Sequence, residues 1–302
     1  MDCDTGFDDA VALLVIDRAS SFELVGISTV VGNTTLERTT ANTLAVVERF
    51  GIAAPVHAGA AKPLAQEPQT IEELLGGGAL GTVGRSFPPP RRRTVDSRDA
   101  ITALTAALER GPLTILATGP LTNPAIVLNL RPELAASVER FVFMGGSATS
   151  GNHTAAAEFN AFADPEALDV VLRAGIPVEM FGLDATRQVP IGPGEESALR
   201  RAGTPNAELW ADHVGFYLRM LDRRTPRPMA LHDPTAAASL AWPELFELAD
   251  ARVEVELHGS RSRGATLCEF RVPTLAQPNA RVAVSVQGEE VMRRVLEVLR
   301  AS

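Results

Sequence analysis

The chain has 302 residues, 45% of them hydrophobic and 22% charged, with a formal net charge of −9. That is enough apolar material for a large core, and too acidic a balance for phosphate backbones or anionic membranes as main partners. Two cysteines, Cys3 and Cys268, make no disulfide framework, and neither a signal peptide nor a membrane-spanning apolar run is read, so a reducing cytoplasm is expected.

The first nine residues, MDCDTGFDD, hold four aspartates: Asp2, Asp4, Asp8 and Asp9. Like charges this close repel, and carboxylates resist burial without a partner. Gly6 permits a tight turn, and Asp8 or Asp9 can cap the helix running through DDAVALLVIDRA. Capping leaves Asp2 and Asp4 unexplained, whereas one hard divalent cation shared by all four explains them. An EF-hand fails, because its twelfth position counted from Asp2 is Leu13 and not a bidentate glutamate. No apolar strand stands before Asp2. A central strand here would lack several buried side chains, each worth roughly 1.5–3 kcal/mol, and the ligands would lie on a frayed terminus; a missing or truncated N-terminal strand is expected.

Further along, FELVGISTVVG (22–32) reads as a buried strand and LERTTANTLAVVERFG as a helix. LGGGALGTVGRSFPPPRRR (75–93) is the least regular stretch; such a loop is either a mobile lid or a solvated surface excursion. A helix at 98–109 leads into the strand LTILATG (113–119), and VERFVFMGG (138–146) is the next strand. A helix at 164–174 precedes the strand IPVEMFGLD (176–184), and helices follow at 193–202, 206–223 and 287–300. This alternation predicts an α/β fold, an open and mainly parallel sheet flanked by helices, as one domain over residues 1–302. Polar clusters come directly after the strands: Thr118-Gly119, Gly145-Gly146 and Asp184. Ligands of open α/β sheets sit outside the carboxyl ends of the strands, so these clusters should share one crevice.

Two later segments carry candidate chemistry. GNHTAAAEFNAFADPEA (151–167) places Asn152, Glu158 and Asn160 within nine residues. Amide donors and acceptors beside a carboxylate suit a polyol, since sugar hydroxyls both donate and accept; a self-bonded loop is the plain alternative. MALHDPTAAASLAW (229–242) pairs His232 with Asp233, and Pro234 fits the first turn of the helix that follows, with Asp233 as its cap. Beside an acidic cluster His232 should favour its protonated form, as a general acid requires. His57, His213 and His258 read as structural, while His153 could reach a ligand. Trp210, Phe216 and Tyr217 read as core packing before ligand stacking.

Taken together, these clusters resemble the nucleoside hydrolase family of the inosine-uridine preferring type. Its DxDPGxDD fingerprint stands here as Asp2-Cys3-Asp4-Thr5-Gly6-Phe7-Asp8-Asp9, followed in family order by VVGNTTLERTTAN (30–42), VHAGAAKPL (56–64), ATGPLTN (117–123), FVFMGG (141–146), the 151–167 segment, GLDAT (182–186), LHDP (231–234) and NARVAVSVQGEEV (279–291). The resemblance implies an open α/β domain with a Rossmann-like core and a Ca²⁺ ion at the pocket floor. Asp4, Asp9 and Asp233 would bind the ion, with the backbone carbonyl of Thr118. Asp8, Asn33, Asn152, Glu158, Asn160 and Asp233 would surround the ribose. Asp4 would be the general base, and His232 would protonate the leaving base. It further implies a cytoplasmic enzyme of purine or pyrimidine salvage, a homodimer or homotetramer acting on small ribonucleosides, with no nucleic-acid or membrane partner.

Two departures from the family stand inside the chain. Thr5 replaces the usual proline, which should cost little. LGGGALG (75–81) stands where relatives often carry HGxDGLG, so the polar groups of that closing loop are missing and base preference is left open. Met220 and Leu221 stand where relatives often show tyrosine. Two other readings compete. DCDTG also fits the DxDxT of Mg²⁺-dependent haloacid-dehalogenase-like phosphatases, whose chemistry needs a lysine, and Lys62 is the only one here. A nucleoside or sugar binder without turnover is the other.

Overall fold

The computed structural model describes residues 1–18, 21–222 and 229–302, with the side chains of 220–222 outside the description. The expected helix end at 223 and the side chains of Met220 and Leu221 therefore lie outside the described residues.

Strand β1 (Asp2–Cys3) leads into helix α1 (Phe7–Arg18), β2 (Ile27–Thr29), α2 (Leu36–Phe50), β3 (Val56–Ala58) and the one-turn α3 (Glu72–Leu75). Then come α4 (Ala100–Arg110), β4 (Leu113–Ala117), α5 (Thr122–Leu130), β5 (Val138–Met144), α6 (Phe159–Ala163), α7 (Pro165–Arg173), β6 (Val178–Phe181) and α8 (Leu183–Thr186). The last third holds β7 (Pro190–Ile191), α9 (Pro193–Ala202), α10 (Pro205–Asp222), β8 (Met229–Ala230), α11 (Asp233–Ala241), β9 (Phe246–Val255), β10 (Thr266–Glu269), β11 (Ala280–Val286) and α12 (Gly288–Ala301). Nine strands form one sheet in the order β10-β9-β11-β6-β5-β4-β1-β2-β3. It is parallel except where β9 meets β10 and β11. Among the described residues no helix is long and apolar enough to cross a membrane.

The pleat sorts side chains onto the two faces. In β5, Phe141 and Phe143 join one apolar cluster with α4, α5 and α7, while Val142 and Met144 join the other with α1, α2, α10, α11 and α12. Such strands are apolar on both sides, as in a parallel sheet covered by helices. Helix α1 is buried continuously from Asp9 to Ile16, which its run AVALLVI permits, because a helix apolar all round needs neighbours all round.

The opening residues differ from the frayed arrangement expected of them. Asp2 and Cys3 form a two-residue strand between β2 and β4, paired with Ser28, Thr29 and Ala117. Both are fully enclosed, and the Met1 amine donates to the Gly26 carbonyl at 2.9 Å. Thr5 carries a buried hydroxyl that meets Thr43 Oγ1 at 2.7 Å, so a polar contact to α2 stands where a proline ring would otherwise stiffen the turn.

Specific contacts also lay down the 75–93 stretch. The Phe87 ring sits among Phe50, Trp210 and His213. The Arg85 amide donates to Asp212 at 2.8 Å, and the Glu48 carboxylate accepts the backbone N–H groups of Arg91, Arg92 and Arg93 at 2.7–3.0 Å. The glycines of LGGGALG have a packing reason: a Cβ on Gly76 or Gly81 would come within 2.4 or 2.1 Å of the Phe216 ring. Trp210 is entirely buried against Phe50, a core role as expected.

Candidate active site

The carboxyl ends of β1, β2, β4, β5 and β6 meet at one rim, and the polar clusters follow them directly. Asp4 leaves β1 and lies between two glycines. A Cβ on Gly32 would stand 2.1 Å from its Oδ2, and one on Gly119 2.8 Å from its Oδ1. Oδ2 accepts the Asn33 backbone N–H at 2.6 Å, while Oδ1 is buried with no hydrogen-bond partner.

Asp8 and Asp9 sit in the first turn of α1, where a helix N-terminus favours negative charge. Neither is the cap itself. Asp9 Oδ2 reaches back to accept the Gly6 N–H at 2.8 Å, and its Oδ1 accepts from Thr118 Oγ1 at 2.6 Å. Asp233 opens α11, after His232 and before Pro234. Ligand oxygens of Asp8, Asp9 and Asp233 lie within 4.8 Å of one another. Burial, and then the neighbouring carboxylates, hold Asp4 and Asp233 well above the usual carboxylate range. Burial and Asp9 push Asp8 up to about 7, and burial raises Asp9. These are acceptor-only groups crowded together and poor in compensating charge. A hard divalent cation fits them, with the orphaned Asp4 oxygen as a further donor.

Asp2 does not share this cluster. It accepts from Asn123 Nδ2 at 2.8 Å and from the Ser28 hydroxyl, one layer deeper in the sheet. Four neighbouring aspartates thus divide because Asp2 lies within β1 while Asp4 lies beyond its end.

The other expected residues gather at the same rim. Asn33 Nδ2 donates to the Asp4 carbonyl and to Asp9 Oδ2, both at 3.2 Å. Glu158 caps α6 and accepts N–H groups from Gly146 and Ala161 at 2.9 and 3.1 Å; burial raises it. Asn160 donates to the Thr118 and Met144 carbonyls at 2.8 and 3.1 Å. Asn152 is exposed and accepts the Phe159 N–H at 3.0 Å, which closes its loop over α6. His153 packs its ring 4.5 Å from that of Phe162.

His232 corrects one expectation. Its Nδ1 meets Thr186 Oγ1 at 2.9 Å. Burial first, and the positive Arg187 second, lower its pKa to about 4, so the imidazole is neutral near pH 7 and not charged by the carboxylates beside it. Lys62, which a phosphatase of the competing type would use, lies exposed in a surface pair with Glu67.

Two further contributors were not expected at the site: Asn42, which the sequence does not single out, and Tyr217, which reads as core packing. Asn42 Nδ2 donates to the carbonyls of Thr5 and Gly78 at 2.8 and 2.7 Å, tying the aspartate turn to the 75–93 stretch. The Tyr217 ring lies 4.9 Å from that of Phe7, tilted by 41°, with its hydroxyl buried, unpartnered and within electrostatic reach of Asp8, Asp9 and Asp233. Nothing in its helical spacing separates it from core aromatics.

This arrangement has close relatives. The family model described as inosine-uridine preferring nucleoside hydrolase matches residues 1–293. The pyrimidine-specific ribonucleoside hydrolase RihA of Shewanella woodyi is 37% identical over 294 residues, covering 95% of this chain and 92% of that protein. The inosine-uridine preferring nucleoside hydrolase of Leishmania major is 33% identical over 303 residues, 99% of this chain and 96% of the other. Among solved structures, a purine-preferring ribonucleoside hydrolase from Gardnerella vaginalis superimposes with a TM-score of 0.90 at 28% identity, covering 100% of this chain and 98% of that one. A plant nucleoside hydrolase, PpNRh1, gives 0.92 at 27% identity over the same shares.

Proposed function

As a member of the inosine-uridine preferring nucleoside hydrolase family this chain hydrolyses the N-glycosidic bond of ribonucleosides, and we propose that it does so with Ca²⁺ held by Asp4, Asp9, Asp233 and the Thr118 carbonyl. The observation that carries this is the meeting of half-buried Asp8 with buried Asp9 and Asp233 beside the unpartnered Asp4 oxygen. When bound, a hard divalent ion supplies positive charge that orients a water and eases its deprotonation.

Asp4, held in place by the Asn33 N–H on its Oδ2, takes the proton of the attacking water. Asp8, Asn33, Asn152, Glu158, Asn160 and Asp233 hold the ribose hydroxyls. The carboxylates among them stabilise the oxocarbenium-like charge that grows as the base departs. His232 faces the leaving base as a neutral hydrogen-bond donor, in keeping with its lowered pKa. The 75–93 stretch, packed against α10, closes the base side. Free Cys3 and Cys268 suit a reducing cytoplasm and a role in nucleoside salvage. The exposed Leu267, Phe270 and Leu275 suit a homodimer or homotetramer.

The test is ribose release from inosine, uridine, cytidine and adenosine, with calcium and after prolonged chelation. Release that vanishes on chelation and returns with Ca²⁺ is expected. Release that survives complete metal removal would refute the metal assignment, and nucleoside binding without release would favour a binder. Ribonucleosides should be cleaved far faster than 2′-deoxyribonucleosides; equal turnover would refute the ribose grip.

A further inference from the structure

Segment 182–188, GLDATRQ, follows β6 and contains α8. Its polar side chains reach in two directions. Asp184 accepts from Ser147 Oγ at 3.0 Å, the Ala148 N–H at 2.6 Å and Thr149 Oγ1 at 2.6 Å. Arg187 donates to Ser150 Oγ and the Gly151 carbonyl at 3.1 and 3.2 Å. Every residue from 147 to 151 is thereby bonded to α8 or its next residue, and Asn152 comes directly after. On the other side, fully buried Thr186 meets His232 Nδ1 at 2.9 Å. Gln188 anchors the segment to β11, donating to the Val284 carbonyl at 3.1 Å and accepting the Val286 N–H at 3.0 Å. Outward bonding by four side chains, Asp184, Thr186, Arg187 and Gln188, from a one-turn helix and the two residues after it exceeds what the helix's own ends require.

We propose that α8 is the positioning element of the site: Thr186 fixes the tautomer of His232, and Asp184 with Arg187 fixes the loop that presents Asn152. In this assignment the Thr186 Oγ–H donates to Nδ1, so that the imidazole proton stands on Nε2, available to the departing base. An imidazole lacking this partner divides between two tautomers and loses its fixed ring orientation, as orienting groups generally prevent. The two halves act on different parts of the substrate. Thr186 serves the leaving group alone, and Asp184 serves the ribose common to all substrates. The inference rests on the hydrolase reading above.

The experiment compares the ribonucleoside cleaved fastest with p-nitrophenyl β-ribofuranoside, whose phenolate leaves without help from an acid. Thr186→Val is nearly isosteric and should lower kcat on the nucleoside about 10- to 100-fold, the size typical for loss of a group that orients an imidazole. On the p-nitrophenyl riboside it should act less than about twofold, and Thr186→Ser should restore the nucleoside rate. Asp184→Ala should instead raise KM for both substrates alike, because disordering the 147–151 loop loosens the shared ribose grip. Equal losses on both substrates for Thr186→Val, or no loss on the nucleoside, would overturn the Thr186 role. An unchanged KM for Asp184→Ala would overturn the loop role. Wild-type protein cleaving neither substrate would refute the hydrolase reading itself, a result distinct from active wild type with an unselective Thr186 variant.

Discussion

Buried carboxylates occur at both ends of the central sheet, and the two ends treat them differently. At the amino ends of β5, β6 and β11, beside an open groove of about 720 Å³, Glu179 lies between Arg140, whose Nε donates at 2.9 Å, and Arg281 at 3.2 Å. At the carboxyl ends, Asp4, Asp8, Asp9 and Asp233 meet with no arginine or lysine paired to them among the described residues. The sequence has 28 basic residues and the fold places two of them on one glutamate. Where only stability is at stake, the charge is compensated internally. At the carboxyl ends it is not, and the proposed function would supply the compensation through a bound cation and a substrate that becomes positive in its transition state.

The largest effect should separate these two ends by activity. Asp233→Asn should lower kcat/KM for ribonucleosides by about 10³-fold or more. In metal-free protein the same change should leave the melting temperature unchanged or raise it, because it relieves repulsion among desolvated carboxylates. A variant that is destabilised without metal and still active would break the comparison. Gly32→Ala tests the geometry of the same rim: its Cβ would fall 2.1 Å from Asp4 Oδ2, so Asp4 must move, at a loss of about 10²- to 10³-fold in kcat. Wild-type kcat in this variant would show that the position of Asp4 is not critical.

A third buried ionisable group sharpens the contrast. His213 lies on α10 among Phe7, Trp210 and Phe87, and its Nδ1 meets the Gly81 carbonyl at 2.8 Å. A carbonyl only accepts, so the proton is on Nδ1. Burial lowers the His213 pKa to about 4. The unfolded chain takes up its proton as pH falls through 6.5 and the folded chain only near 4. This group's contribution is therefore complete above pH 6.5 and lost between 6.5 and 4, on the order of 3 kcal/mol. The raised carboxylates act in the opposite sense over this window. The measurement is accordingly a difference: denaturant stability of wild type minus that of His213→Phe, across pH 4 to 6.5. A difference that does not shrink as the pH falls would refute the neutral, enclosed histidine.

Much of this was legible in the sequence. Strands at 113–119, 138–146 and 176–184 follow from apolar runs, because a parallel sheet covered on both faces requires them. Asp4, Asp9, Asn33, Thr118, Glu158, Asn160 and Asp233 gather because each stands just beyond a strand end or at a helix start. What stayed hidden was set by tertiary packing. Asp2 and Asp4 share one local pattern, and only the end of β1 separates a sheet-bonded carboxylate from a site carboxylate. His232 was expected to be charged because its neighbours in sequence and cluster are acidic; its enclosure and Arg187 decide otherwise. Gly76 and Gly81 stand where a closing loop's polar groups were missed, and their reason is the Phe216 ring from a helix more than a hundred residues away.

The smallest effect belongs to the compensated end. Glu179→Gln keeps the side chain's shape and one acceptor but removes the charge that Arg140 and Arg281 share. Breaking a fully buried pair typically costs 3–5 kcal/mol, but the Arg281 side chain is 54% exposed and Arg140 29%. Both retain partial access to water, so a loss of about 2 kcal/mol is expected, read as a lower denaturation midpoint at unchanged m-value. Because Glu179 stands at the opposite ends of the strands from the reacting groups, kcat/KM should hold at its wild-type value wherever the protein is folded. A fall in kcat/KM without a fall in stability would mean that the two ends of the sheet are coupled, and that charge compensation at the amino ends serves the site as well as the fold.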